Sequence, residues 1–258
     1  MISHKDYSEV SGARDLSANL PVYNRNGSAK QSSRVSAKSQ PGPIIDNRPT
    51  TATLYRSKDL LAAGQIPGMH DLINVAFAYT HNRVGLFPID SLRLESHGQL
   101  IEALSADDTF TYVVSYTDTD VAIGVASAKR YYEALEPQAV TIDNPAGAWK
   151  RSGFEDTSTE GWELSLMAVD PVLQRKGLAG FLMKLVEGEV KKRFLVARAE
   201  RGLPGLKLVM MLTTAKEINE AFYRRKGYSL DYETFHGPGW FGSPRGFHIV
   251  HMSKQVEL

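Results

Sequence analysis

The chain has 258 residues, of which 42% are hydrophobic, and a formal net charge of +1. This composition is sufficient for a sizeable core, and it gives no global electrostatic basis for binding nucleic acid or an anionic membrane. Cysteine is absent, which excludes disulfides, thiolate-bound zinc and a cysteine nucleophile, and no metal site is predicted. No apolar run has bilayer-spanning length, and the first residues lack the apolar segment of a secretory signal, so we expect a cytoplasmic protein.

The chain divides by composition near residue 50. Residues 1–50 are rich in Ser, Asn, Gln, Pro and Gly and have no hydrophobic period. Such a segment buries too little apolar surface to offset its ordering entropy, which predicts a disordered N-terminal arm. A folded domain is expected over residues 51–258. It opens with a predicted strand over 51–56 and helical sequence over 58–80.

The middle of the chain gives the clearest strand signal. After a predicted helix over 92–104, β-branched and aromatic residues alternate in 109–116 and in 121–129, with a turn between them. The pattern predicts a β-hairpin. Residues 137–161 contain Pro and Gly without any period and are predicted to form a long loop, which in a compact domain is usually functional or mobile.

The last hundred residues alternate between strand and helix patterns. Predicted strands cover 162–169, 206–212, 229–235 and 247–254, and predicted helices begin near 178 and cover 217–226. The order of elements predicts an α/β fold in which a central mixed sheet is flanked by helices.

One turn in this region has the features of a pyrophosphate site. The strand over 162–169 leads to Asp170 and then to the basic segment 174–177, which opens an amphipathic helix. Gly177 falls in the first turn of that helix, where unpaired N–H groups and the helix dipole favour an anion and the missing Cβ permits close approach. An ordinary strand-to-helix turn with solvated basic residues has the same local pattern.

This turn resembles the acetyl-CoA signature of the GCN5-related N-acetyltransferase (GNAT) superfamily. The signature reads Gln/Arg-x-x-Gly-x-Gly/Ala, and Gln174, Gly177 and Ala179 match it. A second segment, from Asn219 through Phe222-Tyr223 to Gly227-Tyr228, resembles the later motif of the same family. Two motifs in the family's order, with the preceding strand and following helix, identify residues 51 to about 255 as a GNAT-like acyl-CoA N-acyltransferase fold.

The resemblance implies a set of acetyl-CoA contacts. Backbone N–H groups around Met167 would bind the pantetheine arm if the strand splays there, as it does in the family. Asn219 would bind the same arm or cap its helix. The cofactor contacts implied in this way are Met167, Ala168, Val169, Gln174, Arg175, Lys176, Gly177, Leu178, Ala179, Gly180, Asn219 and Tyr223.

Acetyl transfer to an amine requires a proton donor for the leaving thiolate and an acceptor for the ammonium proton. By resemblance Tyr223 is the general acid, and the alternative is a tyrosine packed under the sheet. Glu163 is the predicted base, since histone-type family members carry a glutamate there. Strand alternation places it on the same face as Met167 and Val169. The alternative is a solvated carboxylate, and the rival bases are His236, His248 and His251.

The predicted function is acetyl-CoA-dependent N-acetylation of a primary amine on a small molecule, by direct attack in a ternary complex. A protein or peptide acceptor and a noncatalytic acyl-CoA-binding module are the alternatives. No nucleic acid or membrane partner is expected, and a homodimer is compatible with the sequence. An aromatic acceptor pocket, or alternatively core packing, is predicted for Trp149, Trp240, Phe241 and Tyr131-Tyr132.

Overall fold

The structure, a computed structural model, describes residues 37–82, 84–131, 159–202 and 207–258, apart from the side chain of Phe241. The predicted disorder of residues 1–36 and most of the predicted loop over 137–161 lie outside the described residues.

The elements follow the predicted order closely. Along the chain they are β1 (Lys38–Pro41), β2 (Thr50–Arg56), α1 (Ser57–Ala62), α2 (Ile66–Phe77), a π-helical turn (Ala78–Asn82), α3 (His97–Ala103), β3 (Phe110–Tyr116), β4 (Ala122–Tyr131), β5 (Thr159–Val169), a 3-10 turn (Pro171–Leu173), α4 (Leu178–Arg201), β6 (Lys207–Ala215), α5 (Lys216–Arg224), β7 (Ser229–His236), a second 3-10 turn (Trp240–Gly242) and β8 (Phe247–Gln255).

Within the described part of the chain, eight strands form one sheet in the order β1-β2-β3-β4-β5-β6-β8-β7. The β5–β6 pair is parallel and the other pairs are antiparallel. The predicted α/β architecture, a mixed sheet flanked by helices, is therefore confirmed. The described helices include none that is long and apolar enough to cross a membrane. The cytoplasmic location stays a prediction.

The segment before residue 51 corrects one sequence prediction. Strand β1 pairs antiparallel with β2, and Ile45, only 2% exposed, belongs to the main hydrophobic core. The prediction that the disordered arm extends to residue 50 is wrong for residues 37–50. This polar segment gains its order from pairing with the edge of the sheet and from burying one isoleucine, neither of which leaves a hydrophobic period in the sequence.

Helices cover both faces of the sheet. One face packs against α4, whose buried residues recur every three or four positions. The main hydrophobic core lies on this face and also includes Tyr223 of α5; we call it the α4-side core. The other face packs against α1, α2 and α3. Gly124 of β4 permits the close approach of α4, because a Cβ at that position would stand 3.0 Å from Leu178 Cδ2. The N-terminus of α4 is thereby fixed against the middle of the sheet.

Candidate functional site

The turn between β5 and α4 is held at both ends and exposed in its centre. Asp170 Oδ1 accepts a hydrogen bond of 3.0 Å from the Val172 N–H and so starts the 3-10 turn. Leu173 and Leu178 are buried on either side, whereas Arg175 is exposed. The fold therefore anchors the turn while presenting its backbone at the surface.

The backbone of this turn has a shape suited to an anion. Arg175 and Gly177 both adopt the left-handed conformation, with φ of +65° and +87°. A backbone in which left-handed residues alternate with residues of negative φ directs successive N–H groups toward one point. Among the described residues, no side chain caps α4 at Gly177, and a Cβ built on this glycine would have no atom within 4 Å apart from the adjoining backbone. The first N–H groups of α4 are thus left for a ligand, which is the geometry that the predicted pyrophosphate site requires.

Two charged residues that the sequence analysis missed lie beside the turn. Lys176 Nζ is 2.7 Å and 2.6 Å from Asp46 Oδ1 and Oδ2. Lys226 Nζ would stand 3.0 Å from a Cβ on Gly180. Lys226 lies within the second motif, directly before Gly227, so the pairing of the two motifs offers a sequence signal for it. Asp46 is distant in sequence and no pattern marks it.

Strands β5 and β6 separate at the end that leads into this turn. Their parallel ladder runs from Thr159↔Lys207 to Glu163↔Met211 and then ends. Beyond that point β6 remains paired with β8, and β5 remains paired with β4 as far as Val169. The β5 backbone after Glu163 therefore borders a gap that opens toward the turn between β5 and α4.

A bulge shapes β5 inside this gap. Leu166 has φ of +45°, and the β4–β5 register shifts between Val125 and Ser127. Bulges redirect backbone groups and side chains. Met167 follows the bulge and is half-buried. The structure thus places Met167, Ala168 and Val169 on an unpaired strand edge that continues directly into the turn, and such an edge can pair with an extended chain that carries amide groups.

Helix α5 contributes Tyr223 and Asn219. Tyr223 is 7% exposed, packs against Phe222 and Tyr228, and belongs to the core that contains part of β5. Burial raises the pKa of Tyr223 well above its usual value, so the phenol keeps its proton. Asn219 Nδ2 donates to Thr214 Oγ1 at 2.9 Å. In this structure Asn219 makes the local contact, and its role toward pantetheine stays a prediction.

Glu163 lies on the face opposite to the one predicted. Its neighbour Leu164 packs into the α4-side core, so Glu163 points to the other face. Met167 and Val169 also pack into the α4-side core. The prediction that Glu163 shares a face with these two residues is wrong, because the bulge at Leu166 adds one residue and reverses the alternation.

The new position puts Glu163 at the point where the strands begin to separate. It forms the last pair of the β5–β6 ladder with Met211 and makes an ion pair with Lys129, whose Nζ lies 3.1 Å from Glu163 Oε2. The Glu163 side chain is 23% exposed. It is therefore accessible from the face that α4 does not cover.

His251 lies on the same face of the sheet as Glu163. It is buried, its ring stacks on Tyr232 at 4.2 Å between centroids, and its Nδ1 lies 3.2 Å from Thr213 Oγ1. The other two candidate bases are engaged elsewhere. The His236 ring packs at a tilt against Trp240, with 3.9 Å between ring centroids, and burial lowers the pKa of His236.

His248 is held by the carboxylate of Glu217 on α5, with 3.0 Å between Nδ1 and Oε1. Val250, two positions further along β8, packs into the α4-side core, and residues two apart on a strand share a face. His248 consequently lies on the face away from Glu163. His251, by contrast, lies on the face of Glu163, and its role as a base stays a prediction.

Two loops meet on the face opposite α4. Ser243 Oγ donates to the Leu86 carbonyl at 2.7 Å, and the Arg245 guanidinium donates to the Val84 carbonyl at 2.8 Å. The β7–β8 loop is thereby tied to the segment that follows the π-helical turn. Their small aromatic core also includes Ile249 of β8. The two loops are thus joined beside the start of β8.

The predicted aromatic pocket is not assembled as proposed. Tyr131 pairs with Gly161 at the start of β5. Across the sheet this row of paired residues ends at Gln255, at the end of β8. Trp240 lies in the other loop, in the cluster with Phe247 at the start of β8. At roughly 3.3 Å per residue of extended strand, about 25 Å separates these ends. Other members of that predicted pocket lie outside the described side chains: Tyr132, Trp149 and Phe241.

Comparison with known proteins gives one family match. The model of the acetyltransferase (GNAT) family matches residues 69–228. No curated protein sequence matches the chain significantly.

Similar solved structures include three acetyltransferases. The ribosomal-protein-S18-alanine N-acetyltransferase from Escherichia coli is 15% identical, with a TM-score of 0.46, over 81% of this chain and 95% of that one. Arabidopsis thaliana NAA60 in complex with acetyl-CoA is 10% identical, with a TM-score of 0.46, over 86% and 99%. An aminoglycoside 6'-N-acetyltransferase complexed with coenzyme A is 14% identical, with a TM-score of 0.47, over 80% and 97%. At such identities the likeness extends no further than the fold.

Proposed function

The chain belongs to the GNAT acetyltransferase family, and from that premise we propose that it transfers the acetyl group of acetyl-CoA to a primary amine on a small molecule, by direct attack in a ternary complex. The observation that carries the proposal is the separation of β5 from β6 immediately before the phosphate-binding turn. One continuous path then offers N–H groups first to the pyrophosphate and next to the amides of the pantetheine arm.

The residues along this path fit acetyl-CoA. Gly177 leaves open the space that a side chain would fill, and the left-handed Arg175 turns its backbone toward the same point. The bulge at Leu166 redirects the β5 backbone, and N–H groups there are suited to polarising a carbonyl. When bound, acetyl-CoA supplies a thioester whose C–S bond breaks as the amine nitrogen bonds to the acetyl carbon.

Two side chains of this protein account for the protons. Tyr223 donates its phenolic proton to the departing thiolate, and the raised pKa keeps that proton in place at neutral pH. Glu163 accepts the proton that the ammonium group must lose, directly or through water. It does so from the face opposite α4, so the amine and the cofactor approach the gap from different sides of the sheet.

The tied loops favour a small acceptor. The hydrogen bond from Ser243 to Leu86 and the bond from Arg245 to Val84 close one side of the acceptor surface. A peptide in an extended conformation needs a groove that is open at both ends, whereas a small amine needs only one opening. A homodimer stays a prediction.

The test is acetyl transfer by the purified protein against small amines, polyamines, amino acids and basic peptides, with the product identified by mass. We expect a small amine to gain one acetyl group while free coenzyme A appears in equal amount. Transfer to peptides alone would replace the small-molecule acceptor with a peptide acceptor. Tight acetyl-CoA binding without transfer to any member of the panel would favour the noncatalytic module.

A further inference from the structure

A tight turn that precedes β2 is built into the cofactor site, outside the residues matched by the family model. Asp46 and Asn47 both have positive φ, 51° and 60°. The flanking residues exchange two backbone hydrogen bonds, each of 2.9 Å, between Ile45 and Arg48. This pattern is that of a two-residue hairpin turn with both central residues left-handed, a turn that favours Asn, Asp and Gly at those positions.

Both flanks of the turn are anchored. Ile45 is buried in the main core. Arg48 donates from Nη2 to both carboxylate oxygens of Asp118, at 2.8 Å and 3.0 Å, and its guanidinium lies 3.7 Å from the centre of the Tyr116 ring. The backbone that carries Asp46 is therefore anchored on both sides.

Asp46 occupies the space beside the phosphate-binding turn. Both of its carboxylate oxygens lie within 2.7 Å of Lys176 Nζ. The two side chains are 54% and 39% exposed, so a ligand can reach them. Lys176 immediately precedes Gly177, and its ammonium group is the closest lysine charge in sequence to the backbone that receives the pyrophosphate.

We propose that Asp46 sets the affinity for acetyl-CoA by holding the ammonium group of Lys176, so that this lysine contributes to phosphate binding only after the carboxylate releases it. The inference rests on the proposed function. An anionic ligand that enters the turn finds the charge of Lys176 neutralised by Asp46. Its phosphates must therefore compete with the Asp46 carboxylate for the ammonium group. An ion pair this exposed is weakened by water and salt, so a phosphate can displace the carboxylate from the lysine, while the negative charge of Asp46 still opposes the ligand's phosphates.

The substitution that tests this is Asp46→Asn. Asparagine has the same shape and tolerates positive φ, so the turn is retained while the charge is lost. We expect roughly three- to tenfold tighter acetyl-CoA binding by titration calorimetry at low ionic strength, and a smaller gain in high salt. In the Asp46→Asn background, Lys176→Met should remove about the whole gain, because the freed lysine is then the group that produces it; in the wild type the same substitution leaves the Asp46 carboxylate unpaired and should also weaken binding.

A matched control removes the same charge elsewhere. Lys216 Nζ and Glu233 Oε2 form an ion pair of 2.6 Å with similar exposure. Glu233→Gln should leave the acetyl-CoA affinity unchanged.

The outcomes separate this inference from the proposed function. Unchanged or weaker binding by Asp46→Asn, with normal binding by the wild type, would overturn the inference alone. A lower melting temperature with unaltered affinity would make the pair a structural link only, which also overturns it. Absence of acetyl-CoA binding by the wild type and every variant would overturn the proposed function and the inference together.

Discussion

Replacing Tyr223 with phenylalanine removes one hydroxyl group and leaves the packing of the ring intact. Burial raises the pKa of Tyr223, so the wild-type phenol is protonated across the working pH range and is always able to donate. General-acid catalysis contributes typically about 10²- to 10⁴-fold, or roughly 3–5 kcal/mol of barrier. We expect Tyr223→Phe to lower kcat by that factor while the Kd for acetyl-CoA and the free energy of unfolding stay close to wild type.

The neighbouring Tyr228 offers a matched control. Its ring centroid lies 5.8 Å from that of Tyr223, and its buried hydroxyl has no hydrogen-bond partner among the described residues. Tyr228→Phe removes an unsatisfied polar group, so it should keep kcat and leave the protein equally or more stable, by about 1 kcal/mol.

The assay is steady-state release of coenzyme A at saturating acetyl-CoA, with cofactor affinity measured separately by calorimetry. A thioester whose thiol has a lower pKa needs less help from an acid, so it should recover part of the activity that Tyr223→Phe loses. Equal kcat for Tyr223→Phe and wild type would refute the catalytic role and leave Tyr223 a packing residue. Equal losses in both tyrosine variants would attribute the effect to packing as well.

Three further substitutions test separate parts of the account. Gly177→Glu should cost about 1–2 kcal/mol of stability at its positive φ and abolish acetyl-CoA binding in calorimetry; normal affinity in the folded variant would contradict the phosphate assignment. Glu163→Gln should lower kcat roughly 100-fold near neutral pH, with the deficit shrinking as the amine loses its proton at higher pH. A pH–rate profile identical to wild type would move the base to another residue, with His251 next to test. Ile45→Ala should lower the free energy of unfolding by about 2–5 kcal/mol in urea denaturation, and an unchanged midpoint would show that residues 37–50 are not part of the core.

The elements predicted from the sequence are those with a clear local pattern of apolar, β-branched or aromatic residues. Strands β3 and β4 alternate clearly, and α4 repeats its apolar residues at helical spacing, so both were placed to within a few residues. Strand β1 has no such pattern, because Lys38–Pro41 is short and exposed and is ordered by its backbone pairing with β2. A pairing partner that is distant in sequence leaves no local pattern.

The site was predicted where it depends on local chemistry and missed where it depends on backbone irregularity. Gly177 indicates a left-handed turn in the sequence, because glycine adopts positive φ readily. Leu166 adopts the same region without any such signal, and the bulge there reversed the face assigned to Glu163. Asp46 meets Lys176 only after folding, because the two lie far apart in the chain.

The most direct test of the central claim is acetyl transfer by wild type and Gly177→Glu side by side, with acetyl-CoA labelled in its acetyl group and the amine product identified by mass. We expect the label on the amine nitrogen with the wild type and no labelled amine with the folded variant. Labelled product from both proteins in equal amounts, or from neither, would contradict it.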